Sequence, residues 1–166
     1  MLMMDTSLAQ NPFSALTFIA APALLTNASS LLATGTINRL LRTRDRMHEL
    51  YKRSEQGRLE GEDGARFLAQ VGRVEAQGVL LLRSLHAIYI AIASFAGATL
   101  VTLLGATLVD FHGAVWFQIL TYLGLALGFV GAGSLIVGSA CLFRATQLSL
   151  MNMQDEAVVI RKRLAS

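Results

Sequence analysis

All fourteen Lys and Arg residues of this chain fall on two segments, and the three long stretches outside them carry no charge. Residues 39–83 hold ten basic side chains and residues 144–163 the other four, whereas residues 1–38 and 84–143 hold none. A helix needs about 20 apolar residues to cross about 30 Å of hydrocarbon. The charge-free runs at 6–38, 84–109 and 112–143 all exceed that length. Lys and Arg close to membrane ends are retained in the cytosol. Both basic segments are therefore expected on that side, with three spans, the N-terminus outside and the C-terminus inside.

Composition supports this expectation, because 54% apolar residues with 15% charged leaves too few charges to cover a soluble domain of 166 residues. The basic excess does not point to nucleic acid. Residues 39–83 also contain seven acids, so their balance is ten minus seven, or +3, a mixed solvated surface. Arg39, Arg42, Arg44 and Arg46 cluster where anionic lipid headgroups would lie. Cys141 is the only cysteine, which excludes an intramolecular disulfide.

These patterns divide the chain into an outer segment at 1–12, a first span at 13–38, a cytosolic helical hairpin at 39–83, and a second span at 84–109. An outer turn at 110–113, a third span at 114–143 and a cytosolic tail at 144–166 complete it. A cleaved signal peptide is disfavoured for the first span, since residues 1–10 include Asp5 and no basic residue. Trp116 belongs at headgroup level.

Phe67, Val71, Val74, Gly78, Leu81, Leu85, Ile88, Ile92 and Phe95 recur at steps of four and three, predicting one unbroken helix with a single apolar seam. The descending arm has a weaker seam at Ile37, Leu40, Met47, Tyr51 and Ser54. Gly57, Gly61 and Gly64 break the helix between the arms, and Asp63 is placed to cap the ascending one. Beyond Arg144, Leu148, Met151, Val158 and Val159 predict an amphipathic helix on the hairpin or the membrane surface.

Asn27, Ser30 and Thr34 share one face of the first span beside Pro22, and could line a polar path or hydrogen-bond between helices. His86 near the cytosolic boundary could relay protons, but the three spans hold no carboxylate to relay with. Gly124, Gly128 and Ala132 form a small-residue stripe suited to close helix contact. Enzyme patterns fail: His48 and Glu49 open like a zinc-binding HExxH, but Lys52 stands where the second histidine belongs. No catalytic residue, metal ligand or cofactor is expected.

Ala21-Pro22-Ala23-Leu24-Leu25, Ser30-Leu31-Leu32, Asn38-Arg39-Leu40 and Asp45-Arg46-Met47-His48-Glu49-Leu50 resemble the opening of a family of small bacterial inner-membrane proteins known only as a domain of unknown function. The resemblance implies three spans, with the Asn38-Arg39 pair at the cytosolic end of the first and the Asp45-Arg46 pair shortly after. It implies no activity. In the arrangement it suggests, Arg39 reaches headgroup phosphate while Asn38 bonds a neighbouring helix.

The resulting expectation is an all-α, three-span membrane protein with a long cytosolic helical hairpin between spans one and two and an amphipathic C-terminal helix. Its expected role is a scaffold or partner-binding subunit, as a homo-oligomer or with a membrane-protein partner. The alternative is an oligomeric channel or transporter subunit using the polar face of the first span.

Overall fold

The computed structural model describes residues 12–55, 62–108 and 114–165, and these form three helices: α1 (Pro12–Glu55), α2 (Glu62–Leu108) and α3 (Ala114–Ala165). No strand occurs among the described residues. Helix α1 opens on Pro12, where a missing N–H costs nothing because first-turn donors are unpaired anyway, and it continues through Pro22. Hydroxyls after Pro22 are bonded within the helix: Thr26 Oγ1 donates to the Pro22 carbonyl at 2.9 Å and Ser29 Oγ to the Leu25 carbonyl at 2.7 Å.

Helix α2 is unbroken, as its seam predicts, and begins at Glu62, with Asp63 in its first turn. Helix α3 continues to Ala165, so the tail is a prolongation of the third helix and not a separate one. No proline follows Pro22 and no glycine follows Gly138, so nothing in the sequence stops it. The outer segment at 1–11, the glycines Gly57 and Gly61, and the turn at 110–113 lie outside the described residues.

Backbone proximity divides the chain into two compact units, residues 1–32 with 88–136 and residues 33–87 with 137–166. The division follows charge. Every Lys and Arg lies in the second unit, and the first contains only Asp5 and Asp110 as charged residues. Each helix contributes to both units, and residues 39–83 share the second unit with the end of α3.

Burial on α2 follows the seam, with Val74, Leu81, Ile88 and Phe95 buried every seventh residue and Phe67, Val71, Gly78, Leu85 and Ile92 half-buried between them. On α3 the buried positions are Gly131, Gly138, Ala145 and Asn152, again every seventh. Large side chains on α2 and the small Gly131, Gly138 and Ala145 on α3 let the backbones approach closely. Helix α1 buries Ser29, Ala33, Thr36, Thr43 and Leu50, with Leu40 and Met47 half-buried on the same face. This corrects the expected descending seam: Tyr51 is 62% exposed, and Ser54 is exposed too. Small hydroxyl residues take the inner face because each can bond its own helix, as Thr43 Oγ1 does to the Arg39 carbonyl at 3.0 Å.

In the first unit α2 and α3 run antiparallel, since Leu120 lies by Gly105, Gly124 by Val101 and Thr102, Leu127 by Gly97, and Gly131 by Phe95. The tightest approach is at Gly131, where an added β-carbon would stand 2.7 Å from Phe95 Cε1 and 2.9 Å from Cδ1. Phe95 is 2% exposed, so its ring has little room to yield. At Gly124 the same atom would sit 3.7 Å from Val101 Cγ1, an ordinary contact, while nothing lies within 4 Å at Gly128, and Ala132 is exposed.

Among the described residues, two helices are long and apolar enough to cross a membrane, by stretches at Gly64–Gly105 and Gln118–Asp155. Only 33% and 11% of their most apolar windows are buried inside the protein, unlike the core helix of a soluble domain. Leu100 on α2 and Tyr122, Phe129 and Ile136 on α3 are all more than half exposed.

Gly131→Ala should destabilise the protein by about 1–3 kcal/mol, because the methyl group overpacks against an immobile ring. Gly128→Ala should be neutral or stabilise by up to about 1 kcal/mol, since the position is open and alanine favours helix. Thermal unfolding of the two variants in one detergent checks the contrast.

Candidate functional site

The second unit contains a pocket of about 260 Å³ to which all three helices contribute. Arg39, Arg42 and Arg46 stand at steps of three and four, so all three line it from one face of α1. Gln77 faces it from α2, and Thr146 and Ser149 from α3. The floor is formed by Leu81, Ala145 and Thr43, all buried. Arg39 Nη1 donates to Thr146 Oγ1 at 3.3 Å, and the Thr146 hydroxyl donates in turn to the Leu142 carbonyl at 2.9 Å. No Asp or Glu lines the pocket.

A polar clamp joins α2 to α3 further along this unit. Arg73 Nε donates to Asn152 Oδ1 at 2.6 Å, and Arg73 Nη2 pairs with Asp155 Oδ2 at 2.8 Å. Asn152 is 2% exposed, and its Nδ2 is buried without an acceptor among the described residues. Turning the amide over would set two donors against each other, so its orientation follows from the arginine. Ser84 is buried and donates to the Gly138 carbonyl at 2.8 Å, a second polar link between these helices. The end of α3 thus packs on α2. It does so through Ala145 and Asn152, while Met151 and Val158 of the expected amphipathic face are exposed.

Of the residues singled out in the sequence, Arg39 and Arg46 meet at the pocket, whereas Asn38 and Asp45 are exposed and do not line it. Asn27, Ser30 and Thr34 are exposed on α1, and Ser30 Oγ donates to the Thr26 carbonyl at 2.9 Å. His86 is exposed, with Nδ1 3.0 Å from the Leu82 carbonyl of its own helix. Gln77, Thr146, Ser149 and the Arg73–Asn152 link were not anticipated from the sequence. The seven-residue spacing of Ala145 and Asn152 from Gly138 was the available signal, obscured because Asn152 is polar.

A family model described as a protein of unknown function, DUF2721, matches residues 19–154, which include every residue of the pocket and, of the clamp, Arg73 and Asn152. No curated protein and no solved structure matches the chain.

Removing Arg73 strands the buried Asn152 amide, so Arg73→Ala should cost about 1–3 kcal/mol. Asp155 is 61% exposed at its side chain, and Asp155→Ala should cost less than about 1 kcal/mol. Equal melting shifts for the two variants would contradict this ranking of the contacts.

Proposed function

The chain belongs to the DUF2721 family of proteins of unknown function, and from that premise we propose that it is a three-span inner-membrane protein that serves as a scaffold or partner-binding subunit. The observation that carries this reading is the outward face of α2 and α3, where large apolar side chains are exposed over stretches long enough to cross a bilayer. In water such a surface would aggregate, while in lipid it is matched to its solvent. The basic residues supply the orientation: all lie within residues 39–83 and 144–163, which are assigned to the cytosol, with the N-terminus outside. Helix α1 provides the remaining span.

A scaffold role rests on the absence of Asp, Glu, Lys and Arg from all three charge-free runs, since such residues usually mark ion and substrate paths in membranes. Gly128 has open space around it and Ala132 is exposed, so this part of α3 offers a small-residue face to a second copy or another membrane helix. The channel alternative draws on the exposure of Asn27, Ser30 and Thr34. Ion flux through sealed vesicles that is lost in a folded Asn27→Leu variant would favour it.

Orientation is testable in intact cells. After replacement of the native thiol by Cys141→Ala, an impermeant maleimide should label Asp5→Cys and His112→Cys and leave Gly61→Cys untouched. Labelling at position 61 from outside would overturn the assignment. Mass measurement in mild detergent, with identification of co-purifying chains, tests the scaffold role: a lone monomer without partners counts against it.

A further inference from the structure

We propose that the exposed face of α1 around Asn27 docks on the same face of a second copy of this chain, giving a parallel dimer in which the two Asn27 amides bond each other. Helix α1 buries Ser29, and at about 100° per residue Asn27 stands about 200° round the axis from it, on the exposed side. At steps of three and four from Asn27 stand Ala23, Leu24, Ser30 and Leu31, all exposed, Leu24 by 68% and Leu31 by 70%. All five belong to the first unit. The hydroxyls beside Asn27 are bonded within α1: Thr26 Oγ1 donates to the Pro22 carbonyl and Ser30 Oγ to the Thr26 carbonyl. The exposed Asn27 amide has more to satisfy, with two N–H donors and an acceptor oxygen.

The inference rests on the three-span membrane reading above, which sets the depth of that amide. Asn27 precedes Arg39, where charge begins, by about 18 Å of helix. That is near the middle of about 30 Å of hydrocarbon. The other amides of the charge-free runs, Gln10, Asn11, Asn38 and Gln118, stand near run ends, where headgroups and water are in reach. Hydrocarbon offers Asn27 no hydrogen bond, so its amide needs a polar partner from another protein surface.

A second copy brings the matching group to the matching depth. The basic segments insert every copy the same way, so two α1 helices lie parallel, with Asn27 level with Asn27. An amide is its own complement: across a twofold axis each gives an N–H to the other's oxygen. Asparagine at one core position of a parallel helix pair also fixes register and the number of strands. Leu24 and Leu31 then pack on either side of the amides, and Ala23 and Ser30 are small enough to let the two backbones approach.

The full chain, in native membranes and with Cys141→Ala, is given single cysteines and oxidised with copper phenanthroline. Leu24→Cys and Leu31→Cys should each form disulfide-linked dimers of this chain. Leu25→Cys, exposed at the same depth but about 100° round the helix from Leu24, should form about tenfold less. In mild detergent, native mass spectrometry should find a dimer, which Asn27→Leu weakens about tenfold and Asn27→Gln, which keeps the amide, weakens by a smaller factor. Asn27 is exposed, so both variants are expected to fold, and thermal unfolding checks that they do. The interface is overturned if Leu25→Cys cross-links as well as Leu24→Cys, if Asn27→Leu associates as the wild type does, or if the cross-linked partner is a different protein. A monomer in which His112→Cys is labelled from outside and Gly61→Cys is not overturns the dimer alone, whereas outside labelling of Gly61→Cys overturns the membrane reading, so the two failures are distinguishable.

Discussion

The arrangement of helices depends on a match of size between α2 and α3 that recurs every seven residues. Helix α2 offers Val74, Leu81, Ile88 and Phe95, and α3 offers Gly131, Gly138, Ala145 and Asn152. A surface that faces lipid gains nothing from hiding apolar groups against other apolar groups, so helices there associate through close packing and a few hydrogen bonds. Phe95 over Gly131 is the packing part of that principle. The Ser84 hydroxyl on the Gly138 carbonyl is the hydrogen-bonding part.

Charge then differentiates the two units. The unit that holds no basic residue relies on glycine contacts, whereas the basic unit adds the Arg73 clamp to Asn152 and Asp155 and the bond from Arg39 to Thr146. Burying Asn152 beside an arginine ties the end of α3 to one register on α2, because a shift would part the amide from Arg73. The arginines of α1 are disposed differently. Arg39, Arg42 and Arg46 all line one pocket of the second unit.

Much of α2 was legible in the sequence because its buried residues are large and apolar, the type that periodicity detects. Helix α1 was less so: its inner face is Ser29, Ala33, Thr36 and Thr43, small or hydroxyl-bearing, and counting apolar residues moved the seam onto Tyr51. On α3 the four-residue stripe Gly124, Gly128, Ala132 was conspicuous, while the seven-residue series Gly124, Gly131, Gly138, Ala145 was not. Of the stripe, Gly124 faces Val101 and Thr102, and Gly128 faces open space. The pocket could not be read at all, since it joins α1 to parts of α2 and α3 distant in sequence. Only its arginine row was visible, as a lipid-facing cluster.

The seven-residue match predicts which face of α3 is turned to α2 in the same chain, and disulfide trapping tests that most directly. In a Cys141→Ala background, the pair Val101→Cys with Gly124→Cys should oxidise readily within one chain, since a β-carbon at 124 lies 3.7 Å from the Val101 side chain. The pair Val101→Cys with Gly128→Cys should not. Efficient closure of the second pair, or a disulfide from the first that links two chains, would mean that the small-residue face of α3 seats something other than α2.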